Sequence, residues 1–157
     1  MTWIKPSFLW MMYRSDWTQG TGQERVLAIR MSRAGFEWVL EHSCLSHFEP
    51  NIHGTADKWL KTLRSCPVRV QWDPERNILL QKTGIKSIQI GLSEIAVAKY
   101  ISEWIIKIQD ITTQCKKIQH HTIRCDLEFA SSILPEEMDY PLPARGFPQI
   151  GLGNGSS

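Results

Sequence analysis

The chain has 157 residues, 42% of them hydrophobic and 22% charged, which fits one globular domain and excludes a disordered or low-complexity protein. A net charge of +2 is too balanced to signal nucleic-acid binding by charge alone, though it leaves room for a local basic patch. No apolar run approaches the ~20 residues needed to span a bilayer, so no membrane partner is expected.

The stretch from Trp3 to Trp17 mixes apolar bulk and polar groups most densely. Pro6 suits a first helical turn, and Phe8, Leu9, Met12 and Tyr13 then share a face, so a helix is expected over about residues 6–15. Gly20-Thr21-Gly22 reads as a loop. Val26 to Met31 reads as a mostly buried strand. Ser32 or Arg33 opens a helix lined by Phe36, Val39 and Leu40, fading near Ser46. A loop with Pro50 and Gly54 leads to Thr55, a good N-cap, and a short helix with Trp59, Leu60 and Leu63 as its buried stripe.

Val68, Val70 and Trp72 alternate with Arg69, Gln71 and Asp73, the pattern of a half-buried strand. Asp73-Pro74-Glu75-Arg76 fits a type I turn, with Ile78-Leu79-Leu80 returning as the paired strand. A further turn at Thr83-Gly84 precedes an alternating strand, Ser87 to Ile90. Ser93 then caps the longest helix, with Val97, Ile101, Trp104, Ile108 and Ile111 as its stripe. Leu127, Phe129, Ile133 and Leu134 dock a last amphipathic segment, and Pro135, Pro141 and Pro143 favour extended chain. The expected fold is a single α+β domain over residues 1–143, an antiparallel or mixed sheet of about four strands packed on a long helix in the C-terminal half, with a flexible tail over 144–157.

Three polar constellations stand out. The first is Arg69, Gln71, Asp73 and Arg76, extended by Gln89 if the strands pair in register. These residues either face water or form an anion-binding fork, with Asp73 orienting an arginine or serving as acid or base. The second is Lys5, Ser7 and Arg14 beside Tyr13, where free N–H groups at a helix N-terminus favour phosphate or carboxylate. The third is Gln23-Glu24-Arg25, in which Glu24 is a candidate general base or ribose-hydroxyl acceptor, or a structural partner of Arg25 or Arg14. The four cysteines, Cys44, Cys66, Cys115 and Cys125, form no C-x-x-C pair and have no histidine at ligand spacing, so no metal site is expected. Reduced thiols in a cytoplasmic protein are the expectation. No cofactor fingerprint, Walker loop or G-x-G-x-x-G, is present.

The segments Trp3–Ser15, Gly22–Ile29, Pro67–Arg76 and Ser87–Ser93 resemble an uncharacterised family catalogued as domain of unknown function 4291, and the likeness continues through Tyr100–Asp110 to Tyr140-Pro141-Leu142-Pro143. The resemblance implies a segment of a few dozen residues, a strand and a helix, upstream of Met1 that this chain lacks. A strand-edge glutamate beside a cleft bearing tryptophan and arginine also resembles mono-ADP-ribosyltransferases, in which a glutamate orients the ribose of NAD. The leading expectation is a domain that binds a nucleotide or nucleic acid through phosphate, with catalysis left open. The alternative is a non-catalytic structural or protein-interaction module whose protein partners the sequence does not specify.

Overall fold

The computed structural model describes residues 1–153. In chain order these form β1 (Thr2–Ile4), α1 (Phe8–Ser15), β2 (Leu27–Met31), α2 (Arg33–Glu41), β3 (Ser43–Leu45), α3 (Pro50–His53), α4 (Ala56–Ser65), β4 (Val68–Arg76), β5 (Lys82–Leu92), α5 (Glu94–Lys99), β6 (Ile105–Asp110), α6 (Thr112–Ile123) and α7 (Leu127–Ser132). Side-chain caps fix three helix starts: Ser7, Ser32 and Thr55 accept from the N–H groups of Trp10, Gly35 and Lys58.

The fold is α+β. A mixed four-stranded sheet runs β1-β5-β4-β3, with β3 parallel to β4 and the other pairs antiparallel. Its apolar face, with Val68, Val70, Ile90 and Leu92, packs on Val39 and Leu40 of α2 and on Ala96, Tyr100 and Trp104. A second apolar cluster joins Met12 of α1 and Trp17 to Cys115 and Ile118 of α6 and Ala130. Strands β2 and β6 form a separate two-stranded ribbon.

Several elements depart from expectation. The helix after Ser93 is short: α5 passes into a π-helical turn, Tyr100–Trp104, and Ile105–Asp110 is strand. The apolar spacing that suggested one long helix is split, because Ala96, Tyr100 and Trp104 enter the core while Ile101, Ile106 and Ile108 are exposed. Gly35 makes room for this turn, since a Cβ there would overlap the Trp104 indole.

Asp73–Arg76 is not a turn. The strand continues through Pro74, tolerated at a shift in register. The chain reverses at residues 77–81 instead, where Asn77 Oδ1 accepts from the N–H groups of Leu79 and Gln81, each at 3.0 Å. Ile78–Leu80 therefore belong to the turn, and Thr83-Gly84 lie inside β5. Strand β2 is exposed rather than buried, because only β6 pairs with it. The loop expected around Pro50 holds the short α3, and the α4 stripe is only half-buried, with Leu60 exposed. The expected flexible tail is packed in its described part: Phe147 and Ile150 are buried, and Trp72 Nε1 donates to Ile150 O at 2.8 Å. Residues 154–157 of that tail lie outside the described residues.

Candidate functional site: the polar face of the sheet

Side chains on residues directly opposite one another across a ladder share a face. Trp3 pairs with Gly91, Gly91 with Arg69, and Arg69 with Cys44, so one row crosses all four strands. The next rows hold Gln89 opposite Gln71 and Ser87 opposite Asp73. The sheet thus has an apolar face and a polar one, as the alternation in β4 implied. Gly91 is required in the first row: a Cβ there would stand 2.9 Å from the Trp3 ring and 2.8 Å from Met1 Sδ.

Helix α1 closes one end of this face. Lys5 is buried to 2% side-chain exposure, and its Nζ lies 3.3 Å from Asp73 Oδ2 and donates to Ser87 O at 3.0 Å. The same ammonium sits 4.9 Å from the centre of the Trp10 ring. Burial pulls the Lys5 pKa below its ordinary value, against the opposing pull of Asp73. The buried Ser7 hydroxyl donates to Glu75 Oε1 at 2.5 Å while accepting from Trp10 N–H at 3.3 Å. Burial raises the Glu75 pKa, but the Ser7 hydroxyl, the Arg76 N–H and the Lys5 charge outweigh it and hold the carboxyl below its ordinary range. At the start of α1, the Phe8 N–H donates to Glu137 Oε1 at 2.7 Å. The anion-binding position expected at this helix N-terminus is therefore filled by carboxylates of the chain itself, with Asp73 committed to Lys5.

Three polar groups here are left unsatisfied among the described residues, Arg69 toward β3 and Arg76 and Ser87 nearer α1. Arg69 Nε is buried without a hydrogen-bond partner among the described residues. Arg76 Nε is likewise unpartnered, although Arg76 Nη1 donates to Leu80 O at 3.2 Å and the guanidinium lies 3.5 Å from the Tyr13 ring centre. Ser87 Oγ is near Glu75 but finishes without a hydrogen bond of good geometry.

The chain belongs to the family described as Domain of unknown function (DUF4291), which matches residues 1–140. No curated protein and no solved structure matches it.

Membership of that family names no reaction, so the remaining candidates are judged on placement. Gln23, oriented to satisfy both groups, donates to Arg14 O at 2.9 Å and accepts from Arg14 Nη1 at 3.2 Å. That pair is local to the end of α1 and its following loop. Glu24 is exposed and accepts from Gly22 N–H at 2.8 Å, and this bond together with its own N–H lowers its pKa. Arg25 reaches Asp110 at 3.4 Å on the ribbon. Lys5, Ser7, Asp73, Arg69, Gln71 and Gln89 are thus tied to one sheet face, while among the described residues no hydrogen bond or ion pair joins Arg14, Gln23 or Glu24 to it.

A cavity of about 190 Å³ at the start of α1 is lined by Phe8, Leu9, Glu75, Arg76 and Glu137, with Leu134 and Pro135. Another, of about 420 Å³, lies by Glu41, Arg145 and Phe147–Gln149. Neither takes in Arg69, Gln71 or Glu24. Among the described residues no group of His, Cys, Asp and Glu is arranged to hold a metal, and no helix is long and apolar enough to cross a membrane.

Three participants escaped the sequence reading: Glu75, Glu137 and the Trp3–Gly91 pair. Glu75 continues the spacing Arg69, Gln71, Asp73 and would have been found had Pro74 not been read as a turn. Glu137 carries no local signal, because its partner is 129 positions away.

Proposed function

We propose that the protein binds a phosphate-bearing ligand, a nucleotide or a nucleic-acid strand, across the polar face of the sheet. The observation that carries this reading is the buried, unpartnered Nε of Arg69 in a row with the exposed Trp3 and beside Gln71 and Gln89. A guanidinium with unmet donors favours phosphate oxygens, and an exposed indole offers a stacking surface for a base. Lys5, Ser7 and Asp73 then stiffen the floor of the site rather than touch the ligand. An open face suits a ligand laid on a platform better than an enclosed cofactor. The free thiols of Cys44, Cys66, Cys115 and Cys125 fit a reducing compartment and a cytoplasmic location. An ADP-ribosyltransferase-like role for Glu24 draws no support from its exposed position.

Tryptophan-fluorescence titration with ATP, pyrophosphate and a short single-stranded oligonucleotide tests the proposal. Binding that weakens about tenfold or more in Arg69→Gln is expected, since a lost charge-assisted bond is worth roughly 1.5–3 kcal/mol. No binding by any of the three, or equal binding by Arg69→Gln, contradicts it.

A second reading, a protein-interaction module, is favoured by the ribbon. Leu27, Ile29, Ile106 and Ile108 are all exposed on it, and a two-stranded ribbon is marginal unless something supports it.

A further inference from the structure

At the β3 edge of the polar face, two thiols meet beside Arg69. Cys44 is buried in β3 with Arg69 as its register partner. Cys66 caps the C-terminus of α4 and is half-buried. Its Sγ lies 3.0 Å from His42 O and 3.1 Å from Val68 O, which seats it between the entrance to β3 and the start of β4. Those carbonyls belong to the residue before Ser43 and to the register partner of Ser43, which sets Cys66 Sγ one residue from Cys44 along β3. Cys115 is buried in the other apolar cluster, and Cys125 is exposed beyond α6.

We propose that Cys44 and Cys66 form a redox-active thiol pair that a small hydroperoxide oxidises to an intramolecular disulfide. Cys66 is the attacking residue. It is the more exposed of the two, and its thiolate is favoured by the Cys44 S–H and, more weakly, by the Arg69 charge. The Cys66 contact and burial push the Cys44 thiol up, against the pull of the Arg69 charge, so Cys44 keeps its proton until the second step. As a thiol, Cys66 can donate to the carbonyl of His42 or Val68.

In the first step the Cys66 thiolate attacks one oxygen of the O–O bond. An S–O bond forms, the O–O bond breaks, and the departing alkoxide or hydroxide takes up a proton, leaving a sulfenic acid on Cys66. In the second step the Cys44 sulfur attacks the Cys66 sulfur. The S–S bond forms, the S–O bond breaks, and hydroxide leaves with the Cys44 proton as water. The sum is two thiols and one hydroperoxide giving one disulfide, one alcohol or water, and one water. The peroxide is the oxidant and the two sulfurs are oxidised. The product ties the α4–β4 junction to β3 next to Arg69.

The test is peptide mapping of the full chain carrying Cys125→Ser, treated with stoichiometric hydrogen peroxide and then alkylated. A linked Cys44–Cys66 peptide pair, lighter than the two thiol peptides by two hydrogens and restored by a dithiol reductant, is expected. Both peptides recovered as alkylated thiols, or Cys66 carried on to sulfinic acid with Cys44 still reduced, overturns the proposal. Cys66→Ser, at the partly exposed position, is expected to leave Cys44 unoxidised. Oxidation of Cys44 in that variant at the parent rate overturns the assignment of Cys66 as the attacking thiol.

Discussion

Two regions of the polar sheet face, around Lys5 and around Arg69, each hold a cationic side chain with a buried nitrogen, in opposite states. Around Lys5, three donors meet carboxylates of the same chain: Lys5 meets Asp73, Ser7 meets Glu75, and the Phe8 N–H meets Glu137. Toward β3, Arg69 has a buried Nε with no partner among the described residues, and Cys44 is its register partner. A charge that is buried and paired is a structural element, whereas a buried donor left unmet is a place for something else. Residue type alone did not separate Lys5 from Arg69; the identity of their neighbours does.

The comparison breaks most visibly at Asp73. Asp73→Ala leaves the Lys5 ammonium buried and unpaired, and a loss of about 3–5 kcal/mol in urea unfolding is expected. A loss under ~1 kcal/mol would place Lys5 among ordinary surface pairs. Ser7→Ala removes both a helix cap and the hydroxyl that holds Glu75, and about 1–2 kcal/mol is expected by the same measurement.

Acid adds a smaller effect. The Glu75 pKa is lower in the folded chain than its ordinary 4.5, so the unfolded state binds more protons between the two values. Its contribution is complete above that ordinary value and is lost as pH falls through the folded pKa. The acid limb of a melting-temperature profile is therefore expected to be shallower in Glu75→Gln than in the parent, and an unchanged limb would contradict this assignment. Arg69→Gln, which removes no hydrogen bond among the described residues, is expected to change stability by less than ~1 kcal/mol while weakening ligand binding. Glu24→Gln is expected to do the least to either, and a large loss of binding there would move the site to the loop.

Much of the sheet was legible in sequence. Alternation in Val68–Trp72 and Ser87–Ile90 marked the central strands and their polar face, and Ser32 and Thr55 stand at the helix starts expected of them, whereas α1 starts after Pro6 with Ser7 as its cap. The failures share a cause: local patterns were overridden by distant contacts. Pro74 resembles a turn signal, yet β5 holds it in a strand. The spacing of Val97, Ile101, Trp104, Ile108 and Ile111 resembles a helix, yet pairing with β2 draws Ile105–Asp110 into a ribbon. Strand β3 has only three residues, too few for any period to show. At the site, the carboxylates that meet Lys5, Ser7 and the Phe8 N–H, Asp73, Glu75 and Glu137, come from 68 to 129 positions away, a separation no local pattern carries.

The most direct measurement is the nitrogen-15 spectrum of the arginine Nε–H groups during titration with pyrophosphate, with the Arg69 signal assigned by its loss in Arg69→Lys. The Arg69 Nε–H signal is expected to move and saturate with the anion while those of Arg14 and Arg25 stay in place. A stationary Arg69 signal with binding observed elsewhere, or no movement at any arginine, would contradict the assignment of this face as the ligand site.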